Sequence, residues 1–297
     1  MRLANTLLAL ALTATFALMA QQTAAPAIKT TKLSDNFYTL EGQGGTIGIL
    51  TGPEGVFMVD TQFAAASDAI AAAIKAITPQ PIRYIVNTHV HGDHTGGNEN
   101  FAKMGATLLA RDQLRYRLGH PNPDAKGAPT PPAPAQALSK ITYDGPVTLH
   151  MNGEEIQLIP IRNAHTDGDT LIRFVRNNIL MTGDFFRSIQ FPNIDRASGG
   201  SLNGMLDGLA FVIGQSGPDT KIVPGHGPIV NRDAVEQHRD MILVLRNKIA
   251  PMVAQGKTLA EVTASKPTAE FDTKIQQPGT TAERFIGQLY AELQAAK

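Results

Sequence analysis

Residues 82–98, IRYIVNTHVHGDHTGGN, constrain this chain more than any other stretch. The apolar run from Ile82 to Val86 reads as a buried strand. It stops, and His89, His91, Asp93 and His94 follow within six positions, with Gly92, Gly96 and Gly97 loosening the backbone around them. Four metal-ligating side chains at the end of one strand are hard to account for as packing. Imidazole and carboxylate together suit zinc, and other imidazole-binding metals less decisively. Cysteine is absent, so a metal here has only His, Asp or Glu to hold it, and no disulfide contributes to the fold.

The surrounding chain is long enough and apolar enough to carry such a site. Its 297 residues are 42% hydrophobic and 18% charged, which supports a sizeable core rather than disorder. Lys+Arg and Asp+Glu both number 26, so no basic excess points to nucleic acid. Met1-Arg2 supplies a positive start, residues 3–20 are mostly Leu and Ala, and small residues fill 17–27. This pattern reads as a secretory signal peptide over about residues 1–25, cleaved between Ala20 and Ala27. Asn5, Thr6, Thr13 and Thr15 interrupt the apolar part, which argues against a permanent membrane span. The expectation is an exported, periplasmic protein whose single mature domain covers 26–297.

Periodicity places the elements. Strands are expected at 37–40, 46–50, 56–60 and 82–86, and a helix over 67–77 has Ile70, Ile74 and Ile77 at helical spacing. Asn98–Lys103 is read as continuing a helix that starts at the ligands. Residues 120–137 hold six prolines, which leaves an extended loop or lid. Asn152-Gly153 marks a hairpin, 171–175 and 178–181 a second one, and helices are expected at 204–213, 232–254, 258–264 and 281–295. Strands then helices, twice over, suggest two sheet-and-helix halves packed sheet to sheet.

Three more candidate ligands sit at the ends of these strands beside glycine. They are His165 in NAHTDGDT, Asp184 in MTGD and His226 in VPGHG. Asp167 and Asp169 read as turn formers around His165. His120, His150 and His238 match no motif and read as solvated or hydrogen-bonded.

The pattern His-x-His-x-Asp-His, then a His in an HTDGD loop, then Gly-Asp, then Pro-Gly-His-Gly resembles the metallo-β-lactamase superfamily over about residues 37–230. That resemblance implies an α+β fold, a four-layer αββα sandwich with metals at one edge. It implies two zinc ions, with iron or manganese accepted by the same donors. His89, His91 and His165 would hold the first, Asp93, His94 and His226 the second, and Asp184 would bridge them. A metal-bound hydroxide would be the nucleophile, with Asp93 as the catalytic residue that orients it or takes a proton. Asp60 resembles the family's first-motif aspartate and is read as holding a ligand histidine.

The family's cysteine-bearing β-lactamases carry Cys where this chain has Asp184 and Arg where it has His94. The set here is similar to that of glyoxalase II and the broader superfamily, and His94 also resembles the histidine-rich β-lactamase subclass. Arg187 lies three residues after Asp184, the spacing at which a Lys of the cysteine-bearing subclass grips a substrate carboxylate. Arg187 is therefore expected to bind substrate, with Asn193 lining the same pocket and Gly42–Gly45 placed where that subclass carries a flexible flap. A small-molecule cyclic amide or ester is the expected substrate, β-lactams first, because export suits an enzyme that meets antibiotics outside the cytoplasm. A thioester or lactone hydrolase of glyoxalase II type is the alternative. A third reading is a periplasmic accessory metalloprotein of a redox or quinoprotein system. The sequence does not set the oligomeric state.

Overall fold

The computed structural model describes residues 27–124, 126–273, 275 and 280–295. The stretch read as a signal peptide lies outside the described residues. In chain order the elements are β1 (Lys29–Lys32), β2 (Phe37–Glu41), β3 (Ile47–Leu50), β4 (Val56–Val59), α1 (Ser67–Ile77), β5 (Ile82–Val86), α2 (Gly92–Thr95), α3 (Asn98–Lys103), β6 (Thr107–Arg111), α4 (Asp112–Gly119) and β7 (Ile141–Tyr143). Then follow β8 (Val147–Met151), β9 (Glu154–Pro160), β10 (Thr170–Phe174), β11 (Ile179–Gly183), α5 (Leu202–Gln215), β12 (Lys221–Pro224), α6 (Arg232–Ala254), α7 (Leu259–Ala264) and α8 (Ala282–Ala295).

Two sheets form. The first has seven strands in the order β1-β2-β3-β4-β5-β6-β7, and the second has five in the order β12-β11-β10-β9-β8. β4 through β7 pair in parallel, with α1 carrying the crossover from β4 to β5. Strand alternation sorts the side chains into layers. In β4, Val56 and Met58 face α1 and α3, packing with Ile70, Ile74 and Phe101. Phe57 and Val59 face the other way, into the core between the sheets, where they meet Phe174, Ile179, Met181 and Val223. In the second sheet Leu171, Leu180 and Ile222 point outward onto α5, α6 and α8, against Leu209, Leu245 and Phe285. The fold is therefore an α+β sandwich of four layers, α–β–β–α. Three separate cores explain why most strands read as apolar on both faces.

The helical turns that begin at the ligands stop at Gly96-Gly97, so α2 and α3 are separate rather than one continuous helix. Among its described residues the proline-rich stretch holds only a single turn of 3-10 helix, at Ala135–Ala137. No helix among the described residues is long and apolar enough to cross a membrane.

His238, read from sequence as solvated or hydrogen-bonded, is only 9% exposed. It is buried on α6 with its ring edge-on to Phe186 and its Nε2 without a hydrogen-bond partner. Burial pushes its pKa down to about 4. The unfolded chain protonates this residue near pH 6.5, and the folded chain only near 4. Its stabilising contribution is therefore complete above pH 6.5 and is lost as pH falls toward 4, on the order of 3 kcal/mol. Urea unfolding of His238→Leu and wild type between pH 6.5 and 4 is expected to show a shallower loss in the variant. Parallel curves would contradict this account.

Candidate metal centre

The donor residues stand on loops that leave one end of both sheets. β4 ends just before Asp60, β5 runs through residues 87–91 into α2, which carries Asp93 and His94, and β9 leads into the His165 loop. β11 ends beside Asp184, and β12 ends before His226. The sandwich thereby brings together all seven residues that the sequence singled out as ligands. Donor atoms of His89, His91, His165 and Asp184 lie within 4.8 Å of one another, and so do those of Asp93, His94, Asp184 and His226. Asp184 belongs to both groups.

Four of the five rings, those of His89, His91, His94 and His165, have a partner on the far nitrogen. Asp60 sits with φ 64, a left-handed conformation that Asp tolerates better than most residues. From there its carboxylate accepts from the Thr88 amide and the Thr88 hydroxyl at 2.7 Å and contacts His94 Nδ1 at 2.7 Å. The Thr88 hydroxyl also lies 3.1 Å from His89 Nδ1. His165 Nδ1 donates to the Asn193 carbonyl at 2.6 Å, and the amide of His165 donates to Asp169 at 2.6 Å. His91 Nε2 meets Asp195 Oδ2 at 2.8 Å. These contacts assign the tautomers and leave the opposite nitrogens with lone pairs directed inward.

Several of those inward atoms have no partner. His89 Nε2, His94 Nε2 and Asp184 Oδ1 are buried without a hydrogen bond, although His94 Nε2 is 3.2 Å from Asp184 Oδ1. Each unpaired buried polar atom costs about 1–3 kcal/mol. His91 Nδ1 and His165 Nε2 face each other at 2.9 Å, an approach that requires a proton or a cation between two lone pairs. The donor set therefore fits divalent metal ions: imidazoles, ionised carboxylates and orphaned atoms converging on two points.

Electrostatics agree with that reading at His89, His165, Asp184 and Asp93, whereas Asp184 and other neighbouring carboxylates raise His94 and His226. Burial, reinforced by the charge on His94, holds the His89 pKa well below the usual value. Burial and neighbouring His91 push His165 down to about 3. Both rings are neutral at ordinary pH, as ligation requires. Burial opposes ionisation of Asp184, yet Arg187, His94 and His226 outweigh it and hold its carboxyl well below the carboxylate range. Burial likewise opposes ionisation of Asp93, but the hydrogen bond with His226 and the charge on His94 bring it to about 2. His94 is raised despite burial, by Asp184 and then Asp60.

Arg187 and Asn193 stand elsewhere than expected. The Arg187 guanidinium is clamped onto Asp184 Oδ2 and donates to Gln190 Oε1 at 2.7 Å, so it is not presented to a substrate carboxylate. Asn193 is buried. Its carbonyl holds His165 and its side-chain oxygen accepts from Gln288 Nε2 at 2.8 Å, so it positions a ring rather than lining a pocket. The glycine turn is not a free flap either. Gly45 donates to the Asp93 carbonyl at 3.0 Å and accepts from Gln62 at 2.8 Å. A Cβ on Gly45 would lie 2.0 Å from the His94 ring, so only glycine lets this backbone close over the site.

Asp195 is the residue that sequence reasoning missed. It lies 104 positions from His91, and its only local signal is an Asp three residues before Ser198, whose amide it accepts. Burial opposes its ionisation, but the hydrogen bond with His91 holds its pKa far below the usual value.

The fold and this donor set define a metal-binding αββα sandwich. The model of the metallo-beta-lactamase superfamily matches residues 40–234, and the chain belongs to that superfamily. Among solved structures it is similar to a metallo-beta-lactamase from Pontibacter korlensis. The two share 18% identity at a TM-score of 0.61, with 73% of this chain and 99% of the other covered. It is also similar to the DIM-1 metallo-beta-lactamase, with 17% identity, a TM-score of 0.59 and coverage of 73% and 98%. At these identities the structures speak to fold alone. Family and donor set together support a metal-dependent hydrolase with a small-molecule substrate.

Asp195→Asn is expected to keep the fold and to weaken metal binding about 10- to 100-fold, read by competition with a chromogenic chelator. Unchanged affinity would remove Asp195 from the site.

Proposed function

We propose that this protein is an exported dinuclear zinc hydrolase that opens a cyclic amide or ester. The observation that carries this reading is the pair of donor groups sharing Asp184, with unpartnered buried atoms in both. His89, His91 and His165 would hold one ion and Asp93, His94 and His226 the other, with Asp184 between. Zinc bound there would supply Lewis acidity toward a carbonyl oxygen and toward water.

The chain's own residues set how substrate approaches. Only His91, Asp93 and His226 are partly exposed, at 29%, 25% and 20% of their side-chain surface, so the reacting bond must arrive over these three. Asp93 lies on that open face with its Oδ2 3.0 Å from His226 Nε2. A carboxylate that stays ionised accepts a hydrogen bond from the attacking water and fixes its direction. Asp60, Asp195 and the Asn193 carbonyl keep His94, His91 and His165 from turning.

β-Lactams are the first substrates to test. The fold is shared with metallo-β-lactamases, and export would place such an enzyme where antibiotics act. A second reading, an uncharged lactone or thioester, is favoured by a specific observation: Arg187, the residue expected to grip a carboxylate, is engaged by Asp184. The experiment is metal analysis of the mature protein followed by turnover of a penicillin, a cephalosporin, a carbapenem, a lactone and a thioester. If all five survive a fully zinc-loaded sample, the hydrolase reading fails. His91→Ala is expected to lose metal and at least about a hundredfold in turnover while its circular dichroism stays that of the wild type. Full activity at full metal content would remove His91 from the centre.

Arg187→Ala separates the two substrate readings. If Arg187 acts on Asp184, the variant alters metal affinity and leaves the KM ratio of anionic to neutral substrates unchanged. A selective rise in KM for anionic substrates would restore it as the anchor.

A further inference from the structure

Next to the donor cluster the structure holds a cavity of about 320 Å³ that no part of the proposed chemistry uses. His91 and Gly92 form its inner side, continuous with the exposed face of the site, and the proline-rich segment forms its outer side through Pro121, Thr130, Pro131 and Ala133. That segment is tethered rather than loose. The Ala133 amide donates to the Leu118 carbonyl at 2.8 Å, and Asn122 Nδ2 donates to the Ala197 carbonyl at 3.0 Å.

The cavity offers no free charge to a ligand. Its one cation, Arg117, is tied to Asp167 through two hydrogen bonds of 2.6 Å and reaches the Ala197 carbonyl with a third. Val90, Leu118 and Ala133 are half-buried and present apolar surface. Gly92 borders open space on this side, since a Cβ built there meets nothing within 4 Å. Burying an ion against such walls without a counter-charge is unfavourable, whereas burying a hydrocarbon group is favourable.

We infer that this cavity binds an uncharged hydrocarbon group of the substrate, and that the proline-rich segment sets specificity for esters and lactones bearing such a group. The inference rests on the hydrolase reading for its reaction and deepens it by naming the substrate class. The reaction balances without a further reactant. The acyl carbon–oxygen bond breaks and the oxygen of water bonds to the acyl carbon. One of the water's protons goes to the departing alkoxide and the other leaves the carboxylic acid product. A proline-dense wall suits this role because its backbone is already restricted, so little ordering is lost on binding.

The test uses zinc-loaded mature protein and 4-nitrophenyl esters from acetate to octanoate, which share one leaving group. The expected result is a rise in kcat/KM of about two- to fourfold per methylene until the chain fills the cavity. Leu118→Asp and Thr130→Asp each place a carboxylate in the wall, and both are expected to lower the octanoate-to-acetate ratio. Thr130 is exposed, so the second variant keeps the test valid if the first fails to fold. A flat series with acetate turned over would overturn the cavity assignment and leave the hydrolase reading intact. A rising series identical in both variants would also overturn it. If no ester is cleaved, calorimetric titration with 1-octanol decides the cavity separately. Binding that Thr130→Asp abolishes supports the assignment, and no binding to wild type ends it.

Discussion

The contact between Asp60 and the loop after β5 is the point on which the site depends. One carboxylate, carried on a left-handed backbone, takes the Thr88 amide, the Thr88 hydroxyl and the His94 ring. Those three bonds fix where the histidine loop leaves the sheet and which nitrogen of His94 faces inward. Through the Thr88 hydroxyl they reach His89 as well. The backbone strain at Asp60, on the order of 1–3 kcal/mol, persists because the surrounding bonds over-determine it. A strand running into an Asp that itself takes a left-handed conformation is therefore part of the chemistry, although it supplies no ligand.

Crowding seven donors into one buried edge is unfavourable by itself. Like-charged and lone-pair-bearing groups face one another, and the chain answers with counter-groups behind several of them. Asp195 stands behind His91, the Asn193 carbonyl behind His165, and the Arg187 guanidinium against Asp184. Below the loop, Asn87, Asn98 and Thr61 form a buried hydrogen-bonded set that also takes the His94 carbonyl. A fully satisfied network of this kind holds rings to a narrow range of orientations.

The sequence made the ligand loops and most elements legible because both are local patterns. Histidine and aspartate beside glycine at strand ends are visible without a structure, and so are the apolar runs that form most of the strands. Asp195 was not legible, because its partner lies on the other half of the molecule and an Asp before a turn has ordinary uses. The contacts of Arg187 and Asn193 were not legible for a related reason. Their spacing from Asp184 and His165 says they are near the site, but not which way they point, and unpaired buried groups nearby claimed both. The burial of His238 was not legible because sequence does not distinguish a wet helix face from one packed against Phe186. The proline-rich stretch was correctly read as lacking regular structure, but its tethers to Leu118 and Ala197 are long-range contacts that no local pattern encodes.

The donors come from both sheets: His89, His91, Asp93 and His94 follow strands of the first, and His165, Asp184 and His226 follow strands of the second. Metal held among them would thus act as a cross-link between distant parts of the chain, much as a disulfide does in proteins that have cysteine. Closing loops of that contour length restricts the denatured ensemble by several kcal/mol in the chain-entropy picture. For a chain without cysteine, the supply of metal would then govern resistance to unfolding and proteolysis as much as it governs turnover.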